Sequence, residues 1–317
     1  MKPTVFIHTS SHEILSAKVA HFSHLLFSNS LDAFDIKVVR IEDYPEFIAR
    51  HGSTVLRHGK EAAWYKDVPQ SFLPLRFIVP QLMEFQGRAL LTDPDIFATA
   101  DVWELLSRDM GDKSVLSRRP GKGDGFNSSV MLLACEKLPH WKWNDMMEAV
   151  FQKRLDLQDL IRLRFEPEEA VGELEREWND YDRLDKDTKL LHNTSQKTQP
   201  WKTGLPFKLE NMNNFYKKKE KTSLEKLLEF RGKGTLKMLR AAKNIAVTGE
   251  PRVYRKHSDP NQEEFFLSLL KEALREKFVE KDFVKAEVRM GHIRRDIFQA
   301  IGRVNRSPVE IVESLKC

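Results

Sequence analysis

Two aspartates separated by one proline, Asp93 and Asp95, are the residues whose spacing most directly suggests chemistry. They follow the apolar run RALLT, and residues i and i+2 of an extended strand project to the same side. Pro94 cannot donate a ladder hydrogen bond, which predicts a strand end or a bulge. Two convergent carboxylates repel each other unless a cation such as Mg²⁺ or Mn²⁺ binds both. The pair therefore indicates a metal site or, because Asp-Pro is a common loop former, a plain turn.

Alternating strand-like and helix-like segments must position these carboxylates. The runs TVFIHT, FDIKVVRI and RALLT are typical of strands, whereas HEILSAKVAHFSHLLFS and LRFIVPQLMEF are typical of helices. Such alternation predicts an α/β fold with a mainly parallel sheet. Ligands of these folds collect outside the carboxyl ends of the strands, which is where we expect the two aspartates.

The composition indicates a globular protein. The chain has 317 residues, 41% of them hydrophobic, and its apolar runs are much shorter than a membrane span of roughly 20 residues. The opening residues MKPTVFIHTSSHE are typical of a first strand and not of a secretory signal, so we expect a cytoplasmic protein. Cys135 and Cys317 lack the spacing of a zinc site or a disulfide framework, which predicts two free thiols.

Basic residues concentrate in the C-terminal third. Residues 207–317 carry 25 Lys and Arg against 16 Asp and Glu, and long charged helical patterns replace the strand patterns there. We therefore expect one domain over residues 1–206 and a basic helical region over 207–317. Residues 207–243 carry 11 basic against 4 acidic residues beside a short leucine stripe, which predicts either peripheral contact with an acidic membrane surface or a solvated helical face.

Three segments occur in the order typical of one enzyme family: LPLRFIVPQLMEFQGRALLTDPDIF, then FNSSVMLL, then LHNTSQKTQPW. Together they resemble the retaining glycosyltransferases of family 8, the group that includes glycogenin and bacterial galactosyltransferases. The resemblance covers about residues 3–206. It implies a GT-A-like domain that binds a nucleotide sugar.

The resemblance also implies roles for individual residues. Asp93, Asp95 and His192 would bind the metal, usually Mn²⁺ or otherwise Mg²⁺, that holds the diphosphate of the donor. Arg76 would contact the donor, and Asn127 would lie near the donor sugar. Both oxygen ligands and imidazole are compatible with such an ion.

Other positions depart from the family pattern. Ser195 replaces the glycine that follows the histidine, and Lys197, the expected cation on the β-phosphate, stands one position early. The first strand lacks the usual acidic residue, so Thr9 is the candidate for recognition of the base. Asp159 in LDLQDLI is the candidate for the aspartate of the family's Asp-Gln pair.

The sequence thus predicts a metal-dependent glycosyltransferase, specifically a hexosyltransferase. It would transfer a sugar from a nucleotide-sugar donor, expected to be a UDP-sugar, to an acceptor that the sequence does not identify, with retention of configuration. The alternative is a basic protein that binds nucleic acid or an anionic surface without catalysis, based on the charge of the C-terminal third. If the chain is an enzyme, no nucleic-acid partner is expected.

Overall fold

The computed structural model describes residues 1–68, 71–121, 123–195, 197–206 and 253–316. The strands within these ranges are β1 (Thr4–Thr9), β2 (Asp35–Arg40), β3 (Thr54–Arg57), β4 (Lys60–Ala63), β5 (Arg88–Thr92), β6 (Ile96–Ala98), β7 (Val115–Arg118), β8 (Asn127–Ala134), β9 (Val171–Glu173), β10 (Asp180–Tyr181) and β11 (Leu190–His192). The α-helices are α1 (Ile14–Phe27), α2 (Pro45–Ile48), α3 (Val79–Leu82), α4 (Trp103–Leu106), α5 (Trp143–Phe151), α6 (Leu157–Ile161), α7 (Pro260–Arg275), α8 (Lys281–Met290), α9 (Ile297–Gly302) and α10 (Pro308–Ser314).

A six-stranded sheet in the order β2-β1-β5-β8-β7-β9 forms the centre of the fold. Strand β1 pairs in parallel with β2 and β5, and β7 pairs in parallel with β9. Strand β8 runs antiparallel to both of its neighbours, β5 and β7. Five strands therefore share one direction, which confirms the expected α/β fold with a mainly parallel sheet.

Side chains on the central strands alternate between two hydrophobic cores, one on each face of the sheet. Val5 and Ile7 of β1 pack in the core that includes α1, whereas Phe6 between them packs in the core on the opposite face. Strand β5 does the same with Leu90 and Leu91. Both faces are covered, and this explains why these strands are almost uninterrupted apolar runs.

Helices α7 to α10 pack onto the sheet side that carries α1. Helix α7 begins at Pro260, and the side chain of the preceding residue, Asp259, caps the helix by accepting from Asn261 N at 3.0 Å. Phe265 and Phe266 of α7 are buried in the same core as Val5 and Trp201. The expected helical character is therefore present over residues 260–316, whereas residues 207–243 lie outside the described ranges.

A second sheet, in the order β10-β11-β6, brings the start of the third motif beside the aspartates. Strand β11 runs antiparallel to β6, with His192 opposite Ile96. None of the helices in the described ranges is long and apolar enough to cross a membrane.

Candidate metal centre

Asp93, Asp95 and His192 meet at the carboxyl edge of the central sheet. Asp93 directly follows β5, Asp95 directly precedes β6, and His192 ends β11. The residues 93–95 form a turn in which Ile96 N donates to Asp93 O at 3.3 Å. The carboxylates thus converge through a turn and not through strand alternation, so the turn and the metal cluster suggested by the sequence coexist.

One potential ligand atom from each of these three residues lies within 4.8 Å of the others. His192 Nε2 lies 3.4 Å from Asp95 Oδ1. Adjacent ligands of an octahedral ion with bonds of about 2.1 Å are about 3 Å apart, so this spacing suits a shared cation. Two carboxylates and one imidazole form a donor set compatible with Mn²⁺ or Mg²⁺. The residues present therefore fit a divalent ion.

Asn179 fixes the orientation of His192. Asn179 Oδ1 lies 2.8 Å from His192 Nδ1, and Asn179 Nδ2 donates to Ser129 Oγ at 3.0 Å. Because an amide oxygen can only accept, Nδ1 carries the proton and Nε2 keeps its lone pair. The lone pair is on the nitrogen nearer to Asp95, which is the arrangement that a metal-binding histidine requires.

Arg76 holds the first aspartate. Its Nε and Nη2 donate to Asp93 Oδ1 and Oδ2 at 3.1 and 2.5 Å, and its Nη1 donates to Ser128 Oγ at 2.8 Å. Burial acts to raise the pKa of Asp93, but the Arg76 guanidinium together with His8 and His192 outweighs it, and the pKa falls to about 2. Each carboxylate oxygen has two lone pairs, so Asp93 can bind an ion as well. Arg76, expected to contact the donor, is placed here as the partner of Asp93.

His8, which sequence reasoning did not select, also faces Asp93. Its Nε2 lies 3.0 Å from Asp93 Oδ1, although outside the angular range of a hydrogen bond. Burial lowers the pKa of His8, so the ring is neutral at neutral pH. The available signal was a single polar residue near the carboxyl end of an apolar strand that pairs with β5.

The third motif is anchored to the start of the chain through Glu13. Trp201 Nε1 donates to Glu13 Oε2 at 3.2 Å, and Lys202 Nζ forms an ion pair with Glu13 Oε1. From the same segment, Gln199 Nε2 donates to Asp95 Oδ2 at 3.3 Å. The motif residues after His192 therefore border the metal cluster, and Gln199 and Glu13 are contributors that sequence reasoning missed.

Lys197 and Lys202 have different environments. Lys197 is exposed, and its backbone carbonyl accepts from Arg255 N at 2.8 Å. Lys202 is buried, and although burial acts to lower its pKa, Glu13 outweighs this and raises the pKa of Lys202. Lys202 therefore holds its ammonium group in a fixed position, through the ion pair with Glu13.

Of the remaining candidates, two lie at strand ends on the carboxyl edge of the central sheet and one lies on a helix. Thr9 ends β1 and is buried, with its Oγ1 donating to Ser10 O at 3.2 Å. Asn127 begins β8 at the same edge, and its Oδ1 accepts from Ser129 N at 3.0 Å. Asp159 lies on α6, where its carboxylate accepts from Arg164 Nη1 at 2.8 Å. The structure thus places Thr9 and Asn127 at strand ends beside the cluster and engages Asp159 with a surface arginine.

No family model matches the chain, and no curated protein matches it. Among solved structures, the glycosyltransferase GlyE of Streptococcus pneumoniae TIGR4 is 20% identical, over 63% of this chain and 56% of that chain, with a TM-score of 0.46. The galactosyltransferase LgtC, solved with donor and acceptor sugar analogs, is 14% identical over 62% and 89% of the two chains, with a TM-score of 0.42. Mouse xyloside xylosyltransferase 1 is 15% identical over 62% and 98%, with a TM-score of 0.41.

All three of these solved structures are glycosyltransferases. The matched part of this chain spans little more than half of GlyE.

Proposed function

We propose that this chain is a metal-dependent glycosyltransferase that transfers a sugar from a nucleotide-sugar donor, expected to be a UDP-sugar. The observation that carries the proposal is the cluster of Asp93, Asp95 and His192 at the carboxyl edge of the sheet. The first and third motifs supply its ligands, and the second motif, FNSSVMLL, supplies Ser128 and Ser129, which contact Arg76 and Asn179, the groups that orient them. Retention of configuration and membership of family 8 are proposed from the resemblance of these motifs.

Asp93, Asp95 and His192 would hold the ion, and each is itself oriented by a neighbour. Arg76 fixes the plane of the Asp93 carboxylate, Asn179 fixes the tautomer of His192, and the Gln199 amide contacts Asp95. When bound, the ion supplies positive charge to the nucleoside diphosphate that leaves as the bond to the sugar breaks. Preorganised ligands reduce the cost of ordering the site at the moment of reaction.

Other donor contacts are proposed from the resemblance. Thr9 is proposed to contact the base and Asn127 the donor sugar, and both lie at strand ends on the edge that carries the cluster. Lys197 is proposed as the cation on the β-phosphate. Asp159 has the weakest support of these candidates, because its carboxylate pairs with Arg164.

The test is a thermal-shift panel of UDP, GDP and their sugars with and without Mn²⁺. A ligand that binds only the folded state raises the apparent midpoint by mass action. We expect the UDP compounds to raise the midpoint in Mn²⁺ and to lose most of this effect in Asp95→Asn. The matched control is Asp112→Asn, which changes an exposed carboxylate in a turn. Equal shifts in Asp95→Asn and the unaltered chain, or in chelator and Mn²⁺, would contradict the proposal.

The alternative function, binding to nucleic acid or to an anionic surface without catalysis, rests mainly on residues 207–243. These residues lie outside the described ranges, and no observation favours the alternative. The division into a catalytic domain over 1–206 and a basic helical region over 207–317 is retained as a proposal. Peripheral membrane contact by residues 207–243 likewise stays a prediction.

A further inference from the structure

A cavity of about 680 Å³ opens between the end of α8 and the segment that follows Trp201. Its basic and imidazole-bearing lining residues, which define the basic cavity, are His12, Lys202, Arg289, His292 and Arg295. Leu205, Pro206, Val288 and Met290 supply an apolar part of the wall. Its volume is within the range of cavities that enclose a small organic ligand.

No carboxylate is among the described residues that line the basic cavity. Lys202 is paired with Glu13, and His292 Nδ1 lies 2.9 Å from Glu287 Oε2. Arg289 and Arg295 are exposed, and in the part of the chain that the structure describes neither forms an ion pair with a carboxylate. Two guanidinium groups therefore remain to bind an anion, and their fork geometry matches phosphate oxygens.

His12 adds a polar group without a partner. Its ring lies against that of His292, with centroids 4.9 Å apart, and its buried Nδ1 has no hydrogen-bond partner among the described residues. Burial lowers the pKa of His12, and the nearby His292 and Lys202 lower it further. The neutral imidazole of His12 thus adds a polar ring to the cavity wall without adding positive charge.

The basic cavity is connected to the metal cluster along the chain. Lys202 lines the cavity, and Gln199, three residues earlier, donates to Asp95 Oδ2 at 3.3 Å. His12 follows β1 at the same edge of the sheet that carries Asp93. A ligand in the cavity would therefore lie beside the site where sugar transfer is proposed.

We propose that the basic cavity binds the phosphate group of an organic ligand, with Arg289 and Arg295 on the phosphate oxygens and the apolar wall against its organic part. The phosphate belongs either to the diphosphate of the donor or to a phosphorylated acceptor. In both cases the guanidinium groups contact the phosphate oxygens directly, so binding of pyrophosphate does not depend on the divalent ion, whereas a UDP donor also needs the ion at Asp93, Asp95 and His192. Pyrophosphate binding in EDTA therefore separates the cavity from the proposed function.

The test is calorimetric titration of the full chain with inorganic pyrophosphate in EDTA. We expect saturable binding that weakens at least tenfold in the double variant Arg289→Gln/Arg295→Gln. The matched control is Arg303→Gln, an exposed arginine that does not line the cavity, and it should bind as the unaltered chain does. Thermal unfolding of each variant verifies that the exposed substitutions leave the fold intact.

Titration with UDP in Mn²⁺ then distinguishes the two sources of the phosphate. A matching loss in the double variant assigns the cavity to the donor diphosphate, whereas unchanged UDP binding assigns it to a phosphorylated acceptor. Asp95→Asn should lose UDP binding in Mn²⁺ and keep pyrophosphate binding in EDTA, so failure of the proposed function would be recognised separately.

Two results would overturn the cavity proposal. One is the absence of pyrophosphate binding in EDTA. The other is unchanged binding by the double variant, with or without a lower unfolding midpoint. That result would mean that Arg289 serves only the C-terminal end of α8, where cations are favourable in any helix, and that Arg295 is a solvated surface residue.

Discussion

The contact between Asn179 and His192 is small, yet the proposed metal site depends on it. Asn179→Ala removes the acceptor that keeps the proton on His192 Nδ1. The ring is then free to rotate and to protonate Nε2, the nitrogen nearer to Asp95. Loss of such an outer partner typically lowers metal affinity 10- to 100-fold. We expect a loss of this size, measured by the decrease of free Mn²⁺ in an electron paramagnetic resonance titration.

Ser129→Ala is the control for this prediction. It removes the hydroxyl on the far side of the Asn179 amide and leaves the contact to His192 in place. Its effect on Mn²⁺ affinity should be several-fold smaller than that of Asn179→Ala. Equal losses in both variants would mean that burial and not orientation determines the affinity.

The pair of Arg76 and Asp93 predicts a cost in stability when one partner is removed. Both side chains are buried, so Arg76→Met leaves a carboxylate without its cation in a site with little water. Breaking a buried pair in this way typically costs about 3 to 5 kcal/mol. Urea unfolding in EDTA measures the loss, and EDTA ensures that no bound ion replaces the missing charge.

Ser128→Ala is the comparison for Arg76→Met, because it leaves the contacts of Arg76 to Asp93 in place and removes a hydroxyl that accepts from Arg76 Nη1 and donates to Ile161 O at 2.7 Å. We expect it to cost about 2 kcal/mol, since one hydrogen bond typically contributes about 1 kcal/mol. A free energy of unfolding that is as high in Arg76→Met as in Ser128→Ala would show that Asp93 gains no stability from the guanidinium.

The cluster of Asp93, Asp95 and His192 and the importance of Arg76 could be predicted from sequence, but the roles of His8 and Asn179 could not. Asp93 and Asp95 are adjacent to a clear strand, and His192 belongs to a motif with its own order and spacing. His8 and Asn179 lie far from them in sequence and contact them only because particular strands pair. No local pattern encodes such a contact, so a polar residue in an apolar strand is at most a weak signal.

At the level of elements, the longer strands and helices of the first hundred residues followed from periodicity. The run TVFIHT became β1, and HEILSAKVAHFSHLLFS contains α1. Strands β6 and β11 have three residues each, too few for alternation to be detected, yet their pairing places His192 beside Asp95. The element that completes the site is therefore one that the sequence could not reveal.

Helix α1 carries a histidine that predicts sensitivity to acid. His24 is fully buried, neither ring nitrogen has a hydrogen-bond partner among the described residues, and burial lowers its pKa to about 3. Histidine in the unfolded chain has a pKa of about 6.5, so below this pH the unfolded chain takes up a proton that the folded chain does not. Stability is thus lost as pH falls from about 6.5 towards 3, by about 2 kcal/mol at pH 5.

His24→Leu should remove this contribution and also the unpaired ring nitrogens. We expect the variant to be more stable than the parent at pH 7, and the decrease in its free energy of unfolding from pH 7 to pH 5 to be smaller by about 2 kcal/mol. His21, whose pKa burial lowers to about 4, leaves some pH dependence in both proteins. Urea unfolding of both proteins at the two pH values tests this prediction. Equal decreases in the free energy of unfolding would contradict the assignment of the acid sensitivity to His24.

Across the whole molecule, composition predicted that strand patterns give way to charged helices near Pro206. It could not show what these helices contact. The stretch from Asn261 to Met290 was recognised as helical, and the structure divides it into α7 and α8. The amphipathic pattern indicates that one face is buried, but it does not identify the partner. That partner is the core containing α1 and Trp201, because Phe266 lies 5.0 Å from the Trp201 ring.

This shared core predicts that the sheet and the C-terminal helices unfold together. Phe266 also packs at 5.5 Å against Phe97 of β6, so Phe266→Ala opens a cavity between α7 and the strand that follows Asp95. Such truncations cost about 3 to 5 kcal/mol.

We expect one urea transition for Phe266→Ala, shifted to lower urea concentration by the same amount when followed by tryptophan fluorescence and by circular dichroism. The control is Val309→Ala, an exposed residue of α10 that should shift neither signal. If Phe266→Ala instead separated the two signals into distinct transitions, the helices would form a unit that folds apart from the sheet, as the change in composition near Pro206 alone would suggest.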